Sequence, residues 1–383
     1  MTARGFYTLL FGAIMMFTAL SVSSPGAFLL GACALIAWAL ALASVLFARI
    51  SFCLSQTLES CEANRGASCM YTLSVRLFAP LPIAPLALQV CLPSGREREF
   101  SLPARLFGFT HSDNHFSCPH VGVFPVGVRR ASVSDVFGLF RMQLPVKAAP
   151  VPLTVLPVPR ETDPLPTSPG EGERSSAQRA QADRTTPADT RAWQEGDELK
   201  RVHWKLSMRR QELMVHTYET PQRPDALVLL DLTPPPFEGV LRAQAIDALT
   251  ETCAGVMKSL LDSRRTARLP LSGDHSRELN GQEPQALAPM LHALAQESFS
   301  RPSDFSRVLL QASRRMRRTG STAVITASLT PKIADAILSL SRMGPRMRVY
   351  LIAPGDLTQE QSQLIHLLQS CSIATEHVSI KNS

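Results

Sequence analysis

Asp197, His203, His216 and Glu219 put carboxylates and imidazoles into one short stretch, the mixture that acid/base or metal chemistry draws on. No two of them stand at a recognised metal-ligand spacing, and the same charges serve equally well as a salt-bridge and hydrogen-bond network, which is the reading the sequence favours. Further on, Asp231 and Thr233 offer hard oxygens suited to Mg²⁺, but Pro235 has no hydroxyl to add. A metal-free role for Asp231 is a carboxylate accepting amide hydrogen bonds or capping the next helix. Glycine-rich phosphate loops, nucleophile elbows and HExxH are absent from the sequence. The eight cysteines form no CxxC pair, so zinc is not expected, and no cofactor is expected beyond the Mg²⁺ alternative. Nothing in these residues gives positive support to an enzyme.

The elements that must position these groups begin with 189–224. Val202, Trp204 and Leu206 alternate with His203 and Lys205, and Leu213 and Val215 resume the period, which predicts a strand, a turn and a second strand. Such a hairpin presents Asp197, Arg201, His203, Lys205, Arg209 and Glu219 as one mixed-charge surface. From residue 225 to 383 apolar strands alternate with helices, the pattern of a doubly wound parallel sheet. Strands are expected at 226–232, 266–272, 321–328, 346–353 and 373–380. Thr330, Pro331 and Gly344 bound one of the helices, and Thr358 with Gln361 is spaced as a capping box for another. In such sheets ligands gather beyond the carboxyl ends of the strands, where Asp231 falls.

The N-terminal half is of another kind. No charged side chain occurs between Gly5 and Ala48, which leaves room for two membrane spans at about residues 6–22 and 27–48, joined by Ser23-Ser24-Pro25-Gly26. Arg4 and Arg49 flank this hairpin and its turn has no cation, so both termini are expected in the cytoplasm, with the protein multi-pass in the membrane. Residues 51–156 show short alternating strands, read as a small β-sandwich of immunoglobulin-like layout. Residues 157–188 are rich in Pro, Ser, Thr and Gly and read as a linker. The formal charge of +7 is spread through several segments, so nucleic-acid binding is not the first inference. Arg314-Arg315-Met316-Arg317-Arg318 reads as the cationic last turn of a helix rather than as a lipid-binding patch.

Arg191, Trp193, Gly196, Asp197, Arg201, His203, Trp204, Lys205, Ser207, Arg209, Leu213, Val215 and Glu219 together resemble the signature of the bacterial domain of unknown function 58 family. Asp135-Val136-Phe137-Gly138-Leu139-Phe140 resembles a second motif of that family, read here as a packed turn. Asp231-Leu232-Thr233 is similar to part of the metal-ion-dependent adhesion motif of von Willebrand factor A domains. These resemblances imply a von Willebrand factor A-like domain at 225–383 and a binding role for the signature residues. They also imply a MoxR-type AAA+ ATPase as partner, alongside membrane proteins such as transglutaminase-like proteins. The expected function is therefore a membrane-anchored adaptor or assembly factor. The alternative is a metal-dependent hydrolase using Asp231 with Asp197 and His203.

Overall fold

The computed structural model describes residues 2–78, 83–93, 95, 97–103, 107–166, 187–194, 202–218, 225–271, 277–300, 304–313, 319–355 and 357–380. The chain divides into two compact units, one made of Met1–Val158 with Leu291–Gln296 and the other of Pro159–Met290 with Glu297–Ser383.

The first unit begins with two apolar helices, α1 (Ala3–Val22) and α2 (Pro25–Ser51). Both are long and apolar enough to cross a membrane. Thr2 caps α1 and Ser24 caps α2, each by accepting an amide three residues on, and Pro25 sits in the first turn of α2, where its missing N–H costs nothing. Close contact follows from small residues: a Cβ added at Gly31 would meet the Met16 amide nitrogen at 3.0 Å.

Strands β1 (Cys53–Leu58), β2 (Glu62–Asn64), β3 (Ser68–Phe78), β4 (Leu86–Cys91), β5 (Glu97–Leu102), β6 (Phe107–Ser117), β7 (Gly122–Ser134), β8 (Arg141–Leu144) and β9 (Val151–Leu156) follow. They form a sheet ordered β1-β3-β6 and another ordered β2-β9-β7-β4-β5, with β8 paired to β7. In β3, every second residue from Cys69 to Leu77 is buried while those between are half-buried or exposed, the period-two signature of a strand with one face in the core. Tyr71, Leu73 and Val75 of β3 share one core with Leu88, Val90, Val128, Leu153 and Val155 of the other sheet. Ala41, Val45 and Ala48 of α2 enter the same core, so the second apolar helix ends inside the β-domain.

The second unit holds β10 (Pro187–Ala192), α3 (Trp204–Arg210) and β11 (Met214–Tyr218), then β12 (Asp225–Leu230), α4 (Gly239–Asp262), β13 (Ala267–Leu271), β14 (Arg277–Gly281), the start of α5 (Leu287–Gln296, whose Leu291–Gln296 part belongs to the first unit), α6 (Phe305–Ala312), β15 (Thr319–Thr326), α7 (Pro331–Ser341), β16 (Arg346–Pro354), α8 (Gln359–Ser370) and β17 (Ala374–Ile380). Six strands form one sheet in the order β14-β13-β12-β15-β16-β17, parallel throughout except for β14. β12 and β15 are buried on both faces, so neither shows a period of two: β12 reads as a nearly continuous apolar run, while β15 buries Thr319, Ser321, Thr322 and Thr326 beside Ala323, Val324 and Ile325. Leu227, Leu229, Val324, Val349 and Leu351 share a core with Leu309 of α6, Ile337 of α7 and Leu368 of α8.

Two expectations are corrected. The run 202–206 is not a strand: Val202 makes a single antiparallel bridge to Val215, residues from Trp204 on form α3, and the strand partner of β11 is β10. The whole of 157–188 is not a plain linker either. Leu165 is buried, the Arg160 amide donates to the Glu251 carbonyl at 3.2 Å, and the Tyr350 hydroxyl donates to the Asp163 carbonyl at 3.3 Å. Residues 159–166 thus lie as a strap along the second unit, and Gly255 in mid-helix makes this possible, because a Cβ there would overlap the Arg160 carbonyl.

Candidate functional site

The signature stretch is built on local hydrogen bonds. The hairpin register places Arg191 opposite Val215 and Ala192 opposite Met214, and the Trp193 amide donates to the Leu213 carbonyl at 2.7 Å. His203 then starts α3: its Nδ1 accepts the Leu206 amide at 3.1 Å, doing with an imidazole what Ser or Asp does at most N-caps. This capping bond is what defeats the strand period, because once His203 satisfies an orphan amide the turn that follows is helical.

Ser207 explains why the pattern carries a small hydroxyl there. Its Oγ donates to the His203 carbonyl at 3.0 Å and accepts the Met214 amide at 2.8 Å, tying α3 to β11. The helix ends at Gln211, which adopts a left-handed φ of 56°. Ser207 is buried, whereas Trp204 is 59% exposed and Met208 82% exposed. Four residues apart, these two share one face of α3. Lys205, Arg209 and Arg210 are exposed as well.

Asp231 lies at the other end of the chemistry, just past β12. Its amide donates to the Ile325 carbonyl at 2.9 Å. Its Oδ1 accepts from the Thr233 hydroxyl at 2.6 Å and the Thr233 amide at 3.0 Å, and its Oδ2 accepts from the Thr326 hydroxyl at 2.7 Å. The Thr326 oxygen in turn accepts the Ser328 amide at 3.0 Å. Asp231 is only 2% exposed. Burial raises its carboxyl above the ordinary aspartate range, against the opposing pull of the Thr233 and Thr326 donors. From β12 the chain first builds outward to β13 and then returns to add β15 on the other side, so Asp231 and Thr326 sit at the topological switch point of the sheet. Thr326 was the member of this group that sequence reasoning missed as a partner; its place at the end of a strand adjoining β12 was the available signal.

Of the other sequence-predicted residues, Gly196, Asp197, Arg201 and Glu219 lie outside the described residues, as does the Arg314–Arg318 run, and the side chains of Arg191 and His216 are likewise not described. Among the described residues, no three of His, Cys, Asp and Glu gather closely enough to hold a metal ion.

Residues 189–359 match the model of a family described as protein of unknown function DUF58. That segment belongs to the DUF58 family. Both sites above fall within it: α3 with its exposed Trp204, and Asp231 with its two threonines. The DUF58 segment therefore covers the signature hairpin and the sheet through β16, while the apolar helices and the β-domain precede it. No curated protein matches the chain. Among solved structures the chain is similar to Cwp6 from Clostridium difficile, with 10% identity, 85% of this chain and 49% of that one covered, and a TM-score of 0.19. It is also similar to a glycosyl hydrolase family 2 member from Bacteroides cellulosilyticus DSM 14838, with 8% identity, 83% of this chain and 38% of that one covered, and a TM-score of 0.16. The chain thus spans about half the length of the first and less of the second. Neither likeness carries an argument about fold or activity.

Proposed function

We propose that this protein is a membrane-anchored docking module whose DUF58 segment binds another protein through α3. The observation that carries the reading is the outward face of α3. A Trp and a Met stand exposed four residues apart beside Lys205 and Arg209, while Ser207 pins the opposite side of the helix to β11. Exposed Trp, Met and Arg on a braced element are the residues that carry binding energy at interfaces. Resemblance to the DUF58 family supplies the partner, a MoxR-type AAA+ ATPase, with transglutaminase-like membrane proteins as further members of the assembly.

In this reading α1 and α2 anchor the chain in a bacterial inner membrane with both termini cytoplasmic, as Arg4 and Arg49 at the same end of the hairpin favour. The β-domain is an immunoglobulin-like spacer, and the parallel sheet is a von Willebrand factor A-like fold whose Asp231-x-Thr233 is the remnant of an adhesion motif. The residues present do not fit a magnesium ion. Pro235 removes one hydroxyl, Asp231 is buried, and both of its oxygens already accept hydrogen bonds that a cation would have to break. Docking is therefore metal-free. The hydrolase alternative would need His203 as base, yet its Nδ1 is committed to capping α3.

The test is capture of a MoxR-type ATPase from the same cell by the detergent-solubilised full chain. Capture in the presence of a divalent-ion chelator supports the reading, and no capture in any condition removes it.

A further inference from the structure

Unit 1 contains a loop whose bracing and exposure disagree. Residues 135–140 are held from inside by Asp135, whose Oδ1 accepts the Phe140 amide at 2.6 Å and whose Oδ2 accepts the Phe137 amide at 3.0 Å. The loop is also tied to the first turn of α1. The Thr2 hydroxyl lies 2.7 Å from the Gly138 carbonyl and 2.8 Å from that of Leu139, and the Thr2 amide donates to the Leu139 carbonyl at 3.0 Å. Trp38 of α2 completes the junction: its Nε1 donates to the Gly5 carbonyl at 3.0 Å, and its ring meets the edge of Phe140 at 5.2 Å. Gly138, at φ 70°, provides the left-handed turn that this path requires. A loop so fixed nevertheless turns Val136 and Phe137 outward, 56% and 68% exposed.

The level at which this happens is set by the helices. At about 1.5 Å per residue, the 20 residues of α1 span about 30 Å, the thickness of a hydrocarbon core. With α1 in a bilayer, Thr2 and the loop bonded to it stand at the boundary between acyl chains and headgroups, and Trp38 occupies the depth at which indoles collect. The local charge suits that position. Arg4 Nη1 would lie 3.7 Å from a Cβ built on Gly138, Arg141 is exposed just past the loop, and the one acid of the loop, Asp135, is turned inward and buried.

We propose that Val136 and Phe137 insert into the anionic headgroup layer of the bilayer that holds α1 and α2, with Arg4 and Arg141 meeting lipid phosphates, so that the β-domain is fixed against the membrane surface rather than swinging on α2. The inference rests on the membrane anchorage proposed above. It makes an outward-facing apolar pair on a rigid loop a second, interfacial contact, which complements the spans by apolar burial and by attraction to anionic lipid.

The test uses the full chain in nanodiscs of phosphatidylcholine and phosphatidylglycerol, with photoreactive benzoylphenylalanine placed singly at Phe137, at Val136, at Phe17 in mid-α1, and at Val123, an exposed residue near the far end of β7. Lipid adducts are read by mass spectrometry after irradiation. The expected result is adducts at 17 and, several-fold above position 123, at 137 and 136, rising with the phosphatidylglycerol fraction. Adducts at 17 with 137 and 136 no higher than 123, or adducts from the loop to a second copy of the chain in place of lipid, overturn the inference while leaving the anchorage standing. An absence of adducts at 17 overturns the anchorage, and this inference with it.

Discussion

Thr326 at the end of β15 donates its hydroxyl to Oδ2 of Asp231 beyond β12 over 2.7 Å, joining the two strands between which the sheet changes its direction of growth. The bond is buried at both ends, with Thr326 fully covered and Asp231 2% exposed. Thr326→Val keeps the shape and removes the donor, leaving a buried carboxylate oxygen short of a partner. The expected loss is about 1–3 kcal/mol of stability, read as a lower unfolding midpoint of the full chain in detergent. An unchanged midpoint would mean that Asp231 does not depend on this bond.

Asp231 also gives the protein a pH signature. Its folded carboxyl is raised by burial above the 3.8 of an ordinary aspartate, so the folded state holds this proton more tightly than the unfolded one. The sign follows: the contribution of Asp231 to stability is greatest at low pH, where the carboxyl is protonated in both states. It is lost as pH rises from the unfolded value through the raised folded one. Asp231→Asn should flatten that part of the stability profile between acid and neutral pH. The substitution is accommodated because the Thr326 hydroxyl, 3.0 Å from the Ser328 carbonyl, can turn its proton there and accept from the new amide. A profile of the same slope in wild type and Asp231→Asn would contradict this assignment.

His203 distinguishes a cap from a base. If its work is to accept the Leu206 amide, His203→Asn should preserve α3 and stability, while His203→Ala loses about 1 kcal/mol. The check is thermal unfolding of both variants, with binding of the ATPase measured alongside. Loss of binding in the Asn variant at full stability would give the imidazole a role beyond capping.

Gly255 tests the strap. Gly255→Ala must push the Arg160 carbonyl aside and break the bond from the Arg160 amide to Glu251, a strain of about 1–3 kcal/mol. Trypsin should then cut after Arg160 faster than in wild type under native conditions. Equal cleavage rates would show that the strap does not lie as described.

The termini of elements were the most legible part of the sequence, because caps are local chemistry. Thr330 accepts the Ile333 amide and Pro331 opens α7 as its spacing predicted, and Thr358 with Gln361 forms the expected capping box of α8. The alternation of strands and helices likewise foretold the parallel strands β12, β13, β15, β16 and β17, though not the antiparallel edge strand β14. What misled was period without context. Val202, Trp204 and Leu206 alternate as a strand does, but Val202 is buried and Trp204 is open, and the His203 cap with the Ser207 tether decides for a helix. The strap at 159–166 was hidden for a related reason. Its polar, proline-rich composition is that of a linker, and only Leu165 and a glycine about 90 residues further on, both legible only through tertiary contact, mark it as packed.

Metal-free docking of a protein partner on the exposed face of α3, as proposed, is tested by the affinity of the detergent-solubilised full chain for the MoxR-type ATPase in chelator, comparing wild type with the Trp204→Ala, Met208→Ala double variant and with Asp231→Asn. An interface centred on these side chains loses at least about 2 kcal/mol on their truncation, a roughly 30-fold weaker Kd. Because both are exposed, the unfolding midpoint should not move. That loss is expected in the double variant, with wild-type affinity in Asp231→Asn. Wild-type affinity in the double variant, or binding that disappears both in chelator and on Asp231→Asn, would contradict it.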